Sequence, residues 1–503
     1  MNFPQLSPLT KALLKFPLWI AGASLYVFLF YQQGFGLNVL AFTLVAAALA
    51  AWSFPHLIRE AASQRLAGAL ILSALFLVWR HTGLAIGVYA LCFLLFTGHL
   101  HARPLRFLCF AGLLGVSKLL GSPLTGLYQL IRLWEMPRWR TSLRWMPYAW
   151  LPAGLGATFT VIYYSANPKF ANFLVRFWPG YWLQLDWEPL QVASFIAGGF
   201  VIGGLLWPSM WSAPLQASES RFEPFLTRHP RRPSRGTSPL SLKRAYQSGL
   251  FTLTMLNALL FVANLTDLRY VWVNYGQASP QELSQYVHEG TYLLLLSVVL
   301  AIGVLLYLFR GNLNFYPDNE RLRWLGHLWL AQNAMLVLSV GLRNWQYVAQ
   351  YGLAYKRLGV FGFLVVTLTG LWLVYAKTRE LHTIAHFFKK QAEVLLVFLL
   401  LAASMPWGQL ITRYNIRHAP AGELDTHFLV EVISPDNLPV LLEERGRLKT
   451  AAGWSEEELK QQLGRVSRRL HSRYRPGWRS WNIAAYRARR ADPFRQADGR
   501  PPR

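Results

Sequence analysis

The chain has 503 residues, of which 53% are hydrophobic and only 15% charged, and its mean hydropathy is +0.24. Soluble domains carry about 25% charged residues, so this composition, with its apolar residues in long blocks, excludes an ordinary soluble enzyme of several domains. The formal net charge of +26 would suit nucleic-acid binding, but no nucleic-acid motif is present and many basic residues lie in short loops, so we expect no nucleic acid as a partner.

Twelve apolar segments, seven in the first half and five in the second, predict a polytopic transmembrane helical bundle. A helix needs about 20 residues to cross the hydrocarbon core. Several first-half segments are shorter than this or run into one another. Segments 66–79 and 84–96 could form a tight hairpin or a re-entrant pair, so the number of spans could differ from twelve by one or two. The segments are 17–31, 34–54, 66–79, 84–96, 105–120, 148–164, 190–207, 249–265, 291–309, 325–342, 358–375 and 394–411.

Basic loops predict the orientation of the spans. Residues 118–144 hold five basic side chains against Glu135, and 209–248 contain TRHPRRPSRGTSPLSLKR, which is typical of a solvated linker. The positive-inside rule places both loops in the cytoplasm. The segment after Leu265 is then expected outside, whereas Lys11 and Lys15 argue against the outer N-terminus that twelve spans would require, so the N-terminal orientation stays open.

The last ninety or so residues are polar and predict a small helical tail, which completes an all-α fold. Ser434-Pro435-Asp436 and Ser455-Glu456-Glu457-Glu458 are typical helix starts. Leu459, Leu463, Val466 and Leu470 then recur at helical spacing. The expected organisation is an N-terminal multi-span half (1–208), a basic Pro/Ser/Arg-rich cytoplasmic linker (209–248), a five-span core (249–411) and a polar basic tail (412–503).

No catalytic or metal-binding motif stands out in the sequence. His288-Glu289 lacks the second histidine of a zinc-protease motif, because position 292 is Tyr, and His99-x-His101 has no carboxylate or cysteine near it. Cys92 and Cys109 both lie in apolar runs, where a disulfide is not expected. We therefore predict no catalytic residue, no metal and no cofactor, and the chain is more typical of a non-enzyme.

Polar residues inside or at the ends of spans are the candidate functional residues, because burying them in lipid is costly. Arg343 and Glu289 are expected at similar depth, where an ion pair would cost less than either charge alone. Such a cluster either fixes helix packing or forms an outward-facing polar pocket with His288 as a proton-sensitive group. The candidate cluster is Asp267, Tyr286, His288, Glu289, Arg343, Tyr351 and Arg357, and the intramembrane polar residues are Asn257, His327 and Asn333.

Four blocks in the second half carry a resemblance: FTLTMLNALLFVANLTDLRYVW, YVHEGTYLLLLSVVLAIGVLL, LRNWQYVAQYGLAYKRLGVFGFLVV, and LITRYNI with LDTHFLVEVISPDNLPVLL. In this order they resemble the bacterial integral-membrane family catalogued as domain of unknown function 4173. The resemblance covers about 250–442 and implies a multi-pass protein of the bacterial inner membrane, with no assigned reaction. The matching positions are Asn257, Asp267, Tyr270, Tyr286, His288, Glu289, Gly290, Tyr351, Gly352, Arg357, Arg413, Tyr414 and Asn415.

Three function classes follow from these observations. The first is a non-enzymatic membrane component for sensing, assembly or partner binding, with an outward-facing polar cluster. The second is a transporter, which would need a polar path across the bilayer. The third is a membrane-embedded transferase acting on a lipid-linked substrate, for which His288, Glu289 and Asp267 are the candidates. The expected partners are a bilayer with anionic headgroups and a membrane protein.

Overall fold

The computed structural model describes residues 8–55, 60–100, 107–133, 169–170, 188–207, 211–228, 239–273, 291–474 and 477–494. In these ranges the regular elements are helices, and an antiparallel bridge pairs Phe225 with His382. The predicted all-α class is therefore confirmed. The chain divides into unit 1 (Met1–Leu105, Cys109–Ala217 and Arg475–Asn482) and unit 2 (Arg106–Leu108, Ser218–Tyr474 and Ile483–Arg503).

Unit 1 is built from apolar helices that pack closely through glycines. Trp19 donates its indole N–H to the Gly199 carbonyl oxygen at 2.7 Å, and Gly22 faces Ile202 so closely that a Cβ would lie 2.9 Å from that side chain. Small residues let helix backbones approach, which favours association within a membrane. The helices are α1 (Pro8–Phe30), α2 (Leu37–Ser53), α3 (Ala61–Arg80), α4 (Gly83–His99), nearly all of α5 (Leu108–Leu133) and α6 (Pro189–Leu206).

Helices α4 and α5 have the closest backbone approach that we find in unit 1. A Cβ on Gly98 would overlap the Ala111 carbonyl oxygen, and one on Gly115 would overlap the Leu94 carbonyl oxygen. Beside this contact, Lys118 is fully buried and donates its ammonium to the Thr97 carbonyl oxygen at 2.7 Å. Since the last carbonyls of a helix have no intrahelical partner, the lysine acts as a cap for the end of α4.

A segment from near the C-terminus, Arg475–Asn482, also belongs to unit 1. The backbone N–H groups of Leu37 and Asn38 donate to the carbonyl oxygens of Trp481 and Arg479, each at 2.9 Å. The Ser480 hydroxyl accepts from the Gly34 N–H at 3.0 Å. These bonds satisfy donors at the start of α2 that the helix itself leaves unpaired.

Unit 2 contains the long helices that surround the second hydrophobic core. Leu253, Val298, Val340 and Val374 lie at the centre of that core and are fully buried. Helix α8 runs parallel to α10, because Asn257 bonds to Leu325 and Asp267, ten residues later, bonds to Ser339, so the partners advance in the same direction along both helices. The helices are α8 (Pro239–Asp267), α9 (Thr291–Leu308), α10 (Glu320–Tyr351), α11 (Tyr355–Glu380) and α12 (Ile384–Ser404), and α7 (Ser212–Glu219) crosses the boundary between the units.

A second buried lysine repeats in unit 2 the arrangement seen at Lys118. Lys377, on α11, is 1% exposed and donates to the Phe309 carbonyl oxygen at 2.6 Å. Phe309 directly follows α9, so the ammonium group lies at the negative end of that helix. Residue 118 was predicted to lie in a basic loop, whereas the structure buries Lys118 within α5, and each of the two lysines joins the end of one helix to another helix.

The chain after α12 folds into a compact group of short helices, here called the C-terminal helical domain (407–474 and 483–494). The predicted helix start at Ser455 is confirmed, since Ser455 and Glu458 form a capping box at 3.2 Å and 2.8 Å. The predicted apolar positions Leu459, Leu463, Val466 and Leu470 are all buried in the domain core. Its helices are α13 (Trp407–His418), α14 (Leu438–Glu443), α15 (Arg445–Ala452), α16 (Glu456–Arg473) and α17 (Ile483–Ala491).

We expect the stability of this domain to fall at acidic pH because of Glu444. Its carboxylate accepts from Arg417 Nε at 2.7 Å, and its side chain is 8% exposed. The hydrogen bonds from Arg417, followed by the charges of Arg417, Arg447 and Arg413, lower the pKa of Glu444 below its ordinary 4.5. A lowered folded-state pKa stabilises the domain above the unfolded value, and this contribution is lost as the pH falls from about 4.5 through the folded value.

Hydrogen exchange of α14 and α15 in the full-length protein, corrected for intrinsic exchange rates, measures this pH dependence. The wild type should lose protection as the pH falls below 4.5. Glu444→Gln should be less protected at neutral pH and should change less with acidification. Equal pH profiles for the two proteins would contradict the assignment.

The chain is a membrane protein with several candidate spans, but twelve are not confirmed. Among the described residues five helices are long and apolar enough to cross a bilayer: Ala61–Arg80, Pro189–Leu206, Leu242–Asp267, Glu320–Tyr351 and Tyr355–Glu380. A sixth span is counted if α12 and α13, which are bent by 63°, are taken together. The predicted span 394–411 includes the bend before Pro406, so it is one span only if the two bent helices are counted together, and 148–164 lies outside the described residues.

Five further predicted spans coincide with shorter apolar stretches, of 10–17 residues, within the described helices. These are Leu14–Phe30, Leu37–Ser53, Gly83–His99, Leu108–Gly121 and Leu293–Leu308. Helices α2 and α4 have 17 residues each and rise about 26 Å, which is less than the roughly 30 Å of a typical hydrocarbon core, whereas α1 has 23 residues and α5 has 26. The predicted domain boundaries and the charge-based orientation stay predictions.

Candidate functional site

An ion pair joins two parallel helices at the end of α8. Arg343, on α10, donates to one carboxylate oxygen of Asp267, and Ser339 donates to the other at 2.7 Å. Both charged side chains are 14% exposed. Asp267 is the last residue of α8, and a π-helix, Leu268–Val273, continues directly from it. The guanidinium therefore offsets a carboxylate that is largely buried between two helices. The pair therefore fixes the register of α8 against α10 at this level.

One to two turns further along α10, a second group of polar and aromatic side chains surrounds the connection to α11. Arg357 lies over the Tyr347 ring with its guanidinium carbon 4.4 Å from the ring centroid, and the Tyr347 and Tyr351 rings are 4.6 Å apart. Arg357 also donates to the Tyr351 carbonyl oxygen at 2.8 Å and to that of Gly352. The arginine thus satisfies carbonyls at the end of α10.

The connection between α10 and α11 is held from the other side by Asn415 on α13. Its side-chain oxygen accepts from the Leu353 N–H at 2.6 Å, and its amide donates to the Leu353 carbonyl oxygen at 2.9 Å. Gly352 has φ = +78°, and a Cβ there would lie 2.9 Å from the Asn415 side-chain oxygen. The C-terminal helical domain is therefore anchored to this connection, at the same end of unit 2 as the Asp267–Arg343 pair.

The structure brings together four of the seven residues of the predicted cluster at one end of unit 2: Asp267, Arg343, Tyr351 and Arg357. They form two adjacent groups, because Arg343 pairs with Asp267 whereas Arg357 binds the end of α10. Tyr286, His288 and Glu289 lie outside the described residues, so the expected Glu289–Arg343 pair stays a prediction. Among the described carboxylates, Arg343 pairs with Asp267.

The predicted intramembrane polar residues link helices. Asn257 donates to the Leu325 carbonyl oxygen at 3.1 Å and accepts from the Gln332 amide at 2.8 Å, which joins α8 to α10. His327 contacts the Thr378 hydroxyl at 3.1 Å, which joins α10 to α11. Asn333 instead donates to the Trp329 carbonyl oxygen of its own helix at 2.7 Å.

A lateral groove of about 620 Å³ lies between α8 and α10. Its polar lining comes from Asn257, Asn264 and Gln332, and its apolar lining includes Phe261 and Leu265. The groove is a feature that the sequence did not reveal, because it depends on which residues face one another across two helices.

Several residues that matter in this geometry were missed as site residues. Ser339 is the second donor to Asp267, and Asn264 donates to the Gln332 carbonyl oxygen at 3.1 Å. A single polar residue inside an apolar run is the signal that pointed to Asn257 and Asn333, and the same signal was available for Asn264 and Ser339. In the described ranges we find no group of three or more histidine, cysteine or acidic side chains placed to hold a metal ion.

Comparison with known protein families shows which family the chain belongs to. Residues 18–444 match the model of a family described as domain of unknown function (DUF4153). The chain belongs to this family. The resemblance to domain of unknown function 4173 is therefore wrong, since the model that matches is that of a different family. Most of the blocks that suggested it are apolar runs flanked by aromatic and arginine residues, a pattern that membrane proteins of different families share for physical reasons.

The DUF4153 match extends from within α1 to the end of α14 and so includes the Asp267–Arg343 pair, the groove and Asn415. Comparison with curated proteins and with solved structures finds no match.

Proposed function

We propose that this protein is a non-enzymatic component of the bacterial cytoplasmic membrane that uses its C-terminal helical domain to assemble with a membrane-protein partner. The observation that carries the proposal is the anchoring of that domain by Asn415. Both hydrogen bonds from this side chain go to Leu353, in the connection between α10 and α11. The domain is thereby held against the bundle end that carries the Asp267–Arg343 pair.

The chemistry of this end supports a binding role rather than a catalytic one. The Asp267 carboxylate is already occupied by Arg343 and Ser339, and Arg357 is occupied by backbone carbonyls and the Tyr347 ring. A general acid or base needs free access to the proton that it transfers. Side chains that already hold hydrogen bonds and ion pairs within the protein instead position the domain and the connection between α10 and α11.

We expect the domain to contact its partner only when it is anchored. A photocrosslinking amino acid at Val432, which is 54% exposed on the domain, should give a discrete protein adduct in cells that express the chain at native level. The same probe at Leu401, a 60% exposed residue of α12, reports contacts along the helical bundle. Asn415→Ala removes both bonds to Leu353 and should reduce the Val432 adduct several-fold.

Gln409→Ala is the matched control, because Gln409 lies on the same helix and donates a long hydrogen bond, of 3.4 Å, to the Asp436 carbonyl oxygen instead of binding the connection between α10 and α11. This variant should leave the adduct unchanged. An adduct that Asn415→Ala does not affect, or the lack of any protein adduct at Val432, would contradict the proposed assembly role. An adduct with a second copy of the chain would identify the partner as the protein itself.

A further inference from the structure

Helix α9 has a continuous exposed stripe along one side. Residues three and four apart share one side of a helix, and the exposed residues with this spacing are Leu293, Leu296, Leu300, Gly303 and Tyr307. The opposite side of α9 packs in the core of unit 2, where Val298 and Leu305 are buried. Membrane helices pack against one another mainly through small residues, whereas the leucines of this stripe protrude, so the stripe is typical of a surface that faces lipid.

The stripe ends where the chain leaves the apolar part of the bundle. Helices α9 and α11 end at one level, since Lys377, three residues before the end of α11, donates to Phe309, which directly follows α9. The connection from there to α10 (310–319) contains an arginine, an aspartate and three asparagines. Tyr307 is 59% exposed and lies one turn before this connection, and tyrosine rings are enriched where the hydrocarbon core meets the headgroups.

Arg310 follows the stripe by three residues and stacks on its last ring. Its guanidinium carbon lies 4.0 Å from the centroid of the Tyr307 ring, and the side chain is exposed. Among the described residues no carboxylate or carbonyl group binds this guanidinium, although Asp318 belongs to the same connection. The ring contact therefore orients the guanidinium and leaves its N–H donors available.

The end of α9 does not need Arg310 as a cap. The Phe309 carbonyl oxygen already accepts from Lys377 at 2.6 Å and from the Asn314 amide at 2.9 Å. Arg357, which also lies over a tyrosine ring, donates to the Tyr351 carbonyl oxygen and so caps α10. Arg310 makes the ring contact without such a hydrogen bond, so its charge is available to a ligand.

The two parts of this surface require one ligand with two chemistries. A planar fork of N–H donors matches the oxygens of a phosphate group, which it binds in bidentate fashion. The stripe below Arg310 is apolar, and a Cβ on Gly303, one turn before Tyr307, would meet nothing within 4 Å. An acyl chain can therefore lie along this side of α9, whereas a soluble phosphate would leave the stripe uncovered.

We propose that α9 binds an anionic phospholipid, whose phosphate contacts Arg310 on the Tyr307 ring and whose acyl chain lies along Leu300 and Gly303. A zwitterionic headgroup fits less well, because its own cation would repel Arg310. The site lies at the N-terminal end of α10, whereas the C-terminal helical domain is anchored at the C-terminal end of that helix. The inference therefore does not depend on the proposed assembly role.

Native mass spectrometry of the full-length protein in detergent tests the site with two lipids that share their acyl chains. The probes are 1-palmitoyl-2-oleoyl phosphatidylglycerol and the corresponding phosphatidylcholine. The wild type should bind the phosphatidylglycerol at least several-fold more tightly. Arg310→Gln should lower this preference several-fold. Arg321→Gln removes the same charge from an exposed arginine in the first turn of α10 and should retain the preference.

Tyr307 separates a built site from general attraction to basic residues. Tyr307→Leu removes the ring beneath the guanidinium and should lower the preference, whereas Tyr307→Phe keeps the ring and should retain it. Equal binding of the two lipids to the wild type would overturn the proposal. Equal losses in Arg310→Gln and Arg321→Gln, or no loss in Tyr307→Leu, would also overturn it. A change of oligomeric state in Arg310→Gln, without a lipid preference in the wild type, would overturn it in favour of a protein contact.

Discussion

Alanine in place of Gly98 is expected to lower the unfolding free energy of unit 1 by about 3 kcal/mol, at the upper end of overpacking effects. The added Cβ would overlap the Ala111 carbonyl oxygen and lie 2.7 Å from its carbonyl carbon. Both atoms are backbone, so no rotamer change relieves the overlap and the two helices must separate. Gly115→Ala should have a similar effect, because its Cβ would overlap the Leu94 carbonyl oxygen.

The separation of α4 from α5 should also weaken the bond from Lys118 to Thr97. Lys118 lies on α5 and reaches the end of α4 at 2.7 Å, so a shift of about an ångström would lengthen that bond and leave a buried ammonium poorly paired. Overpacking and the loss of a charge-assisted hydrogen bond then act together. This coupling is the reason to expect an effect at the upper end of the range.

Cys92 provides the measurement, because it lies on α4 and is 1% exposed. With Cys109 replaced by serine, the rate of thiol labelling against denaturant concentration in detergent reports the opening of α4. Gly87→Ala and Gly112→Ala are matched controls on the same two helices, since a Cβ at Gly87 meets nothing within 4 Å and one at Gly112 lies 3.7 Å from a leucine side chain. If Gly98→Ala and Gly87→Ala gave the same midpoint, the close approach of α4 and α5 would be disproved.

The positions of most helices were predictable because apolar runs and cap residues are local signals. The start of α16 at Ser455 follows from its capping-box residues alone, and the four apolar positions after it define the buried face. The proline at position 406 is also a local signal for a helix break. A span predicted from mean hydropathy misses it, because hydropathy does not depend on backbone geometry. The predicted span 394–411 therefore ran through a residue pair that disfavours a continuous helix.

The partners of buried charges could not be predicted, because they come from distant parts of the chain. Lys377 donates to a carbonyl oxygen 68 residues earlier, and Arg343 pairs with an aspartate 76 residues away. Charge-based topology indicated that Asp267 and Arg343 share one end of the bundle. It contained no information on the rotation of α8 about its axis, which decides whether the two side chains meet.

Removal of either partner of the Asp267–Arg343 pair is expected to lower the unfolding free energy by about 3 kcal/mol, because the remaining charge is then buried without its counter-ion. At 14% exposure each, the two side chains are shielded enough from solvent for this estimate to apply. Asp267→Leu with Arg343→Met should cost less than the sum of the two single changes, since the double variant leaves no unpaired charge. We expect a coupling free energy of about 2 kcal/mol.

A buried reporter cysteine at Val298 on α9, in a chain with Cys92 and Cys109 replaced, allows thiol labelling to measure the unfolding of unit 2 for all four members of the cycle. The exposed pair Lys390–Glu393, which is 2.9 Å long with side chains 43% and 35% exposed, provides the matched control cycle. Its coupling should be about 0.3 kcal/mol, as for other exposed helical pairs. Equal coupling in the two cycles would mean that the Asp267–Arg343 pair is solvated, and its role in fixing α8 against α10 would then be disproved. A large coupling free energy at Asp267–Arg343 alone would identify the pair as a contact that holds α8 against α10. The groove lies between these two helices, and the C-terminal helical domain is anchored at the end of α10.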